Sequence, residues 1–174
     1  MICDANLRLH GTNAWPNAGG AVSLTAGTAI FSTNAVNLDN LIPATGSSGS
    51  TSQMRDIGEG DDLYAVLTVA TQVSQATGGT FICDIVATSA LDGSGTVAVL
   101  GNITVPWVTS NTNLAPGAVF VARINPQLAS LGTQYLQGRF NATSNNITAG
   151  TVYLDIVTDI YDSKKFYAGG FKVT

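Results

Sequence analysis

Apolar residues in this chain recur at every second position, and that period limits the fold more than any other feature. In "DLYAVLTVATQV" Leu63, Ala65, Leu67 and Val69 fall on one face, and Tyr64, Val66 and Thr68 on the other. Successive side chains on a strand point to opposite faces, so a period of two reads as strand and a period of 3.6 as helix. Both faces of this segment are largely apolar, which predicts a central strand. "TFICDIVATSAL" directs Phe81, Cys83, Ile85 and Ala87 one way and Asp84 and Thr88 the other. "GAVFVARIN" sets Val119, Val121 and Arg123 against Phe120, Ala122 and Ile124. "QYLQGRFNAT" points Leu136 and Phe140 inward and Gln137, Arg139 and Asn141 outward. "TVYLDIVTDI" places Val152, Leu154, Ile156 and Ile160 on one face and Tyr153, Asp155 and Asp159 on the other.

Weaker strand patterns occur in "GTAIFST", "AVNLDN", "TVAVLGNITVP" and "GFKVT". Turn residues separate them: "TGG" at Thr77–Gly79, "DGSG" at Asp92–Gly95, "APG" at Ala115–Gly117 and "SNN" at Ser144–Asn146. Only "NPQLASLG" suggests a helical turn, with Asn125 as cap and Pro126 in the first helical position. About eight strands between turns predict an all-β fold, a jelly-roll-like β-sandwich, over residues 1–160. Two stretches stand apart. "PATGSSGSTSQ", residues 43–53, has the composition of a flexible loop. Residues 161–174, ending "SKKFYAGGFKVT", mix lysines, aromatics and a Gly-Gly pair and read as a C-terminal arm.

Composition decides what such a sandwich can meet. Of 174 residues, 45% are hydrophobic and 10% charged, with a formal net charge of −4. Ordinary domains carry about 25% charged residues. The surface must therefore be built from Thr, Ser, Asn, Gln and Gly, and depletion of Lys and Glu is a property of interfaces. No basic run exceeds Lys164-Lys165, so the footprint that displaces counterions from nucleic acid, or attracts an anionic membrane, is missing. No apolar run approaches the ~18 residues of a membrane helix. The start, "MICDANLRLHG", lacks the basic-then-apolar pattern of a signal peptide. Cys3 and Cys83 could pair in principle, but Cys83 lies in a strand pattern, where a free buried thiol is expected.

Candidates for chemistry are few. His10 is the only histidine and reads as a surface or edge residue, with no serine or cysteine marked out to partner it. Zinc would need clustered His and Cys. Carboxylates gather in "RDIGEGDD", where Asp56, Glu59, Asp61 and Asp62 could ligate calcium, but the spacing is not that of an EF-hand. Asp155 and Asp159 share a strand face roughly 13 Å apart, too far for a glycosidase pair. The expectation is no catalytic residue, no metal and no cofactor. "RDIGEGDD" then reads as a surface loop before the central strand, its charges facing water or a partner. Sequons at Asn102, Asn141 and Asn146 read as coincidence in a chain this rich in Asn and Thr. Trp15, Trp107, Lys164, Lys165, Phe166, Tyr167 and Phe171 are candidate interface residues, because exposed aromatics anchor protein contacts and three of the seven basic residues fall in the arm.

The order of several segments carries a resemblance. "MICDANLRL", "STNAVNLD", "RDIGEGDDLYAVLTV", "NPQLASLGTQYLQGRFNATSNNITAGTVYLDIV" and "FYAGGF" follow one another as in the capsid cement (decoration) proteins of tailed bacteriophages, most closely the jelly-roll group that sits as trimers on the head. The resemblance spans nearly the whole chain and is strongest in "DIGEGDDLYA" and in the "QYL" and "ITAGTVYLDIV" strands. It implies a homotrimer on the outer surface of the virion, bound to the major capsid protein, with no enzyme activity or cofactor. Two other readings remain at this stage. One is a jelly-roll carbohydrate- or receptor-binding module of a phage or bacterium. The other is a β-sandwich hydrolase using Asp61 or Asp155.

Overall fold

Ten strands form among the described residues: β1 (Arg8–His10), β2 (Gly20–Ala21), β3 (Ile30–Phe31), β4 (Val36–Asn37), β5 (Leu63–Gln75), β6 (Thr80–Thr88), β7 (Val97–Pro106), β8 (Val119–Ile124), β9 (Tyr135–Thr143) and β10 (Ile147–Val157). The computed structural model describes residues 7–12, 19–37, 62–75, 79–106, 114–125, 133–158 and 160, and no α-helix occurs among them. The loop at 43–53, the proposed helical turn after Asn125 and the arm at 161–174 lie outside the described residues.

Pairing is antiparallel and nested. β1 pairs with β10, β3 and β4 with β9, β5 with β8, and β6 with β7. A long two-stranded ribbon folded over on itself gives this nesting, and the β10–β5 and β9–β6 ladders close the roll. Two sheets result, ordered β1-β10-β5-β8 with β2 also on β10, and β3-β9-β6-β7 with β4 also on β9. This is the jelly-roll-like sandwich that the pattern predicts. β5 lies between β10 and β8 in its sheet, the central position that its pattern predicts.

The core lies between the sheets and is filled by the inward set of each alternation. Ala65, Leu67 and Val69 of β5 meet Phe81, Cys83 and Ile85 of β6 and Leu154 of β10, all within 1% of complete burial. Phe81 and Phe140 stack with ring centroids 6.2 Å apart. Side chains of this size each contribute about 1.5–3 kcal/mol when fully buried. Cys83 is a free thiol in this core, and burial pushes it far above the usual thiol range. The turns follow their residues. At Ala115–Ala118 the Ala118 N–H donates to the Ala115 carbonyl at 3.0 Å, Pro116 occupies the second position and Gly117 takes φ 85°. That is the backbone of a type II turn, which requires positive φ at its third residue. In "DGSG" the Asp92 carboxylate accepts from the Ser94 hydroxyl (2.6 Å) and N–H (2.9 Å).

Both sides of the sandwich are stitched, which protects edge strands that would otherwise pair with other chains. On one side β1 of the first sheet meets the segment between β3 and β4 of the second. There the Asn34 N–H donates to the Leu9 carbonyl (2.9 Å), and the Asn34 amide to the carbonyls of Arg8 and Gly11. On the other side β8 meets β7. The Asn125 N–H donates to the Leu100 carbonyl at 2.8 Å, and a Cβ on Gly101 would stand 2.7 Å from the Arg123 carbonyl oxygen. Glycine is what lets the two sheets approach at that point.

Candidate interaction surface

Several candidate chemical groups among the described residues are tied up in the fold. The His10 ring, expected at the surface or an edge, belongs to an edge strand but is only 2% exposed. Its Nδ1 accepts the Thr33 N–H at 3.1 Å, and its ring lies 4.7 Å from that of Phe140. Burial holds the imidazole below its ordinary range, partly offset by the polar backbone of Ala21 and Gly20 beside it. Asp155 is held by Arg8, with Nε at 2.8 Å and Nη2 at 3.4 Å from its two oxygens. Asp62, at the end of the "RDIGEGDD" block, pairs with the Arg123 guanidinium and accepts from the Tyr64 hydroxyl at 3.3 Å. Asp56, Glu59 and Asp61 lie outside the described residues. Among the described residues no three of His, Cys, Asp and Glu gather where a metal ion would sit.

Charge is correspondingly scarce. The charged side chains among the described residues are Arg8, Arg123, Arg139, Asp62, Asp84, Asp92 and Asp155. Each of the three arginines is paired with a carboxylate.

The outer faces of the two sheets differ. On the first, register aligns Arg8, Asp155, Val66 and Val121 in one row across β1, β10, β5 and β8. Tyr153, Thr68 and Val119 form the next row, and Val157, Tyr64 and Arg123 the row on the other side. The Arg8 guanidinium lies 4.7 Å over the Tyr153 ring, a cation–π contact at the β1 end. At the β8 end Val119 and Val121 are apolar and Arg123 is paired with Asp62. On the second sheet Phe31, Arg139, Asp84 and Asn102 share a row. Asp84 accepts from Asn102 Nδ2 (2.6 Å) and from Arg139 Nη2 (2.6 Å) and Nε (3.1 Å). The turn after β6 bonds back onto this face. Gln137, expected outward, is on the outer face yet only 1% exposed, because its amide donates to the Thr88 hydroxyl (2.6 Å) and the Ala90 carbonyl (3.4 Å). Thr88 is likewise fully buried.

Exposed apolar side chains are few. Among the described residues the exposed large hydrophobics are Leu91, Val99, Val119 and Val121. Val99 is on β7, and Val119 and Val121 are on β8, the two strands stitched through Asn125. Val119 and Val121 make the outward face of β8 an apolar ridge with the Asp62–Arg123 ion pair at its end, and Val99 stands on the outer face of the other sheet. The alternation in "VFVARI" placed Val119 and Val121 on one face, but nothing in that pattern told which face met water. Trp15, Trp107, Lys164, Lys165, Phe166, Tyr167 and Phe171, the interface candidates from sequence, all lie outside the described residues. No protein-family model matches this chain, and no curated protein does.

Proposed function

We propose that this chain is a structural virion protein that binds the outside of a tailed-phage head as a homotrimer and cements neighbouring major capsid proteins. The observation that carries the reading is the β8 ridge, where Val119 and Val121 stand exposed on a sandwich whose three arginines among the described residues are all internally paired. Such a surface gains from being covered and has little charge to desolvate when it is, which suits a lasting contact between proteins. The segment order shared with jelly-roll cement proteins supplies the identity of the partner and the number three. Closed symmetry would also let identical ridges satisfy one another around an axis. In this role the protein works by added contact area between shell subunits, with no bond made or broken.

The test is binding to emptied heads assembled from the major capsid protein of the same genome. The purified chain should co-sediment with them at a fixed stoichiometry, and decorated heads should survive heating that opens bare ones. Light scattering of the free or capsid-released chain should give a trimer mass. Failure to co-sediment, together with selective hits on a glycan array, would favour the carbohydrate-binding module instead.

A further inference from the structure

We infer that His10 is an acid-sensitive clasp that holds β1 to the Ser32–Asn34 segment and so controls the opening of one side of the sandwich. The inference starts from the two ring nitrogens. Nδ1 accepts the backbone N–H of Thr33 at 3.1 Å, which requires its lone pair. The ring is therefore neutral with its proton on Nε2, a tautomer assigned from the hydrogen bond. Nε2 is buried and has no hydrogen-bond partner among the described residues. The imidazole is enclosed by the Phe140 ring and by Gly20, where a Cβ would stand 2.2 Å from Nε2. Among the described residues no carboxylate stands beside the ring to balance a second proton, and only the backbone of Ala21 and Gly20 favours one.

The charged groups of the surrounding strands face elsewhere. Arg8, two residues along β1, is paired with Asp155 across from it, whereas His10 is in register with core-facing Leu154. On β9, Phe140 points to the ring while its neighbour Arg139 pairs with Asp84 on the opposite face. β2 contributes Gly20 and Ala21, and the Ser32–Asn34 segment contributes no charged side chain. Protonation at Nδ1 would set an N–H against the Thr33 N–H in a dry pocket. The Thr33 amide would lose its acceptor and the two donors would separate. The bonds beside it belong to the same seam: Gly11 N–H to Thr33 Oγ1 (3.3 Å), Asn34 N–H to the Leu9 carbonyl (2.9 Å), and the Asn34 amide to Arg8 and Gly11. Loss of the histidine contact therefore loosens the link between the two sheets on this side. The β6–β9 ladder, which does not pass through His10, stays intact.

The experiment is heteronuclear NMR of the full chain between pH 7.5 and 4.5. The His10 ring signals and the Thr33 amide should titrate together. Exchange protection at Thr33 and Asn34, corrected for intrinsic rates, should fall at least tenfold through that titration while amides of the β6–β9 ladder keep theirs. In His10→Asn, whose side-chain oxygen can accept from Thr33 without titrating, the protection should no longer depend on pH. Protonation of the ring with an unmoved Thr33 amide would overturn the inference. So would a ring that stays neutral until the whole domain unfolds, or equal pH dependence in His10→Asn. The wild-type titration stands alone as a test if the variant folds poorly.

Discussion

Replacing Val119 and Val121 together with aspartate should leave the sandwich folded and abolish its association with itself and with the capsid. The two valines are 46% and 41% exposed, so a covering partner removes a little under half of each side chain from water. Full burial of a valine is worth about 2 kcal/mol, which leaves ~0.8 kcal/mol for each residue at the contact and ~1.6 kcal/mol for the pair. The carboxylates add the cost of desolvation without a partner, bringing the loss to about 4 kcal/mol, or roughly a thousandfold in affinity. Val119→Thr with Val121→Thr is the matched control. It keeps the branched shape that strands favour and should weaken binding only about tenfold. The folded monomer should tolerate both changes, since surface substitutions away from special features move stability by about 0.5 kcal/mol and poor strand propensity adds at most ~1 kcal/mol. Light scattering reads self-association and co-sedimentation reads capsid binding, with circular dichroism confirming the fold. If the double aspartate variant trimerises and binds heads like the wild type, the ridge is ordinary surface and the contact lies elsewhere.

Five further outcomes follow from particular residues. Asp84→Ala should cost about 2–3 kcal/mol in denaturant unfolding, because it strands a partly buried Arg139 and Asn102. Arg123→Ala, which breaks a pair exposed on both sides, should cost under about 1 kcal/mol, and equal effects would refute the burial argument. Because burial lowers the His10 pKa from 6.5, the unfolded chain binds that proton first as pH falls; this contribution to stability is complete above about pH 6.5, declines below it, and should vanish from the melting profile of His10→Asn. Deleting residues 164–174 should preserve the melting temperature while weakening trimerisation or capsid binding in a salt-dependent way, since Lys164, Lys165 and Lys172 are removed; a chain that then fails to fold would place the segment in the core. Calcium or a chelator should leave the melting temperature unchanged, and a rise of several degrees with calcium would make "RDIGEGDD" a metal loop.

The sequence made legible what depends on local pattern. β5, β6, β8, β9 and β10 could be read from alternation, because a strand with one face in the core must repeat at two. β1 and β2 could not, since three and two residues carry no period. Alternation also assigns a face without saying what covers it. Gln137 and Thr88 occupy the outer face as expected and are buried all the same, because the turn after β6 supplies the Ala90 carbonyl to both. His10 was misjudged for a related reason. Its acceptor role depends on Thr33, 23 residues away, and on a glycine at position 20 that lets β2 lie against the ring. The nested pairing was reachable only as an architecture, since nothing in a strand's own letters names a partner a hundred residues distant.

The few charges show how that distant pairing is fixed. Arg8 meets Asp155 across 147 residues of sequence, Arg139 meets Asp84 across 55, and Arg123 meets Asp62 across 61. Each pair joins neighbouring strands, or a strand and the residue just before one: β1 to β10, β9 to β6, and β8 to the start of β5. A slip of one residue would turn a strand's outward charge into the core and its apolar set toward water, so each pair penalises the wrong register more than it stabilises the right one. This accounts for carboxylates placed beside buried strands without calling on catalysis. It also explains how the outward face of β8 can be apolar over part of its length. Once the register is held by pairs at Asp155, Asp84 and Asp62, Val119 and Val121 carry no such duty, and the only charge on their strand, Arg123, is already paired with Asp62.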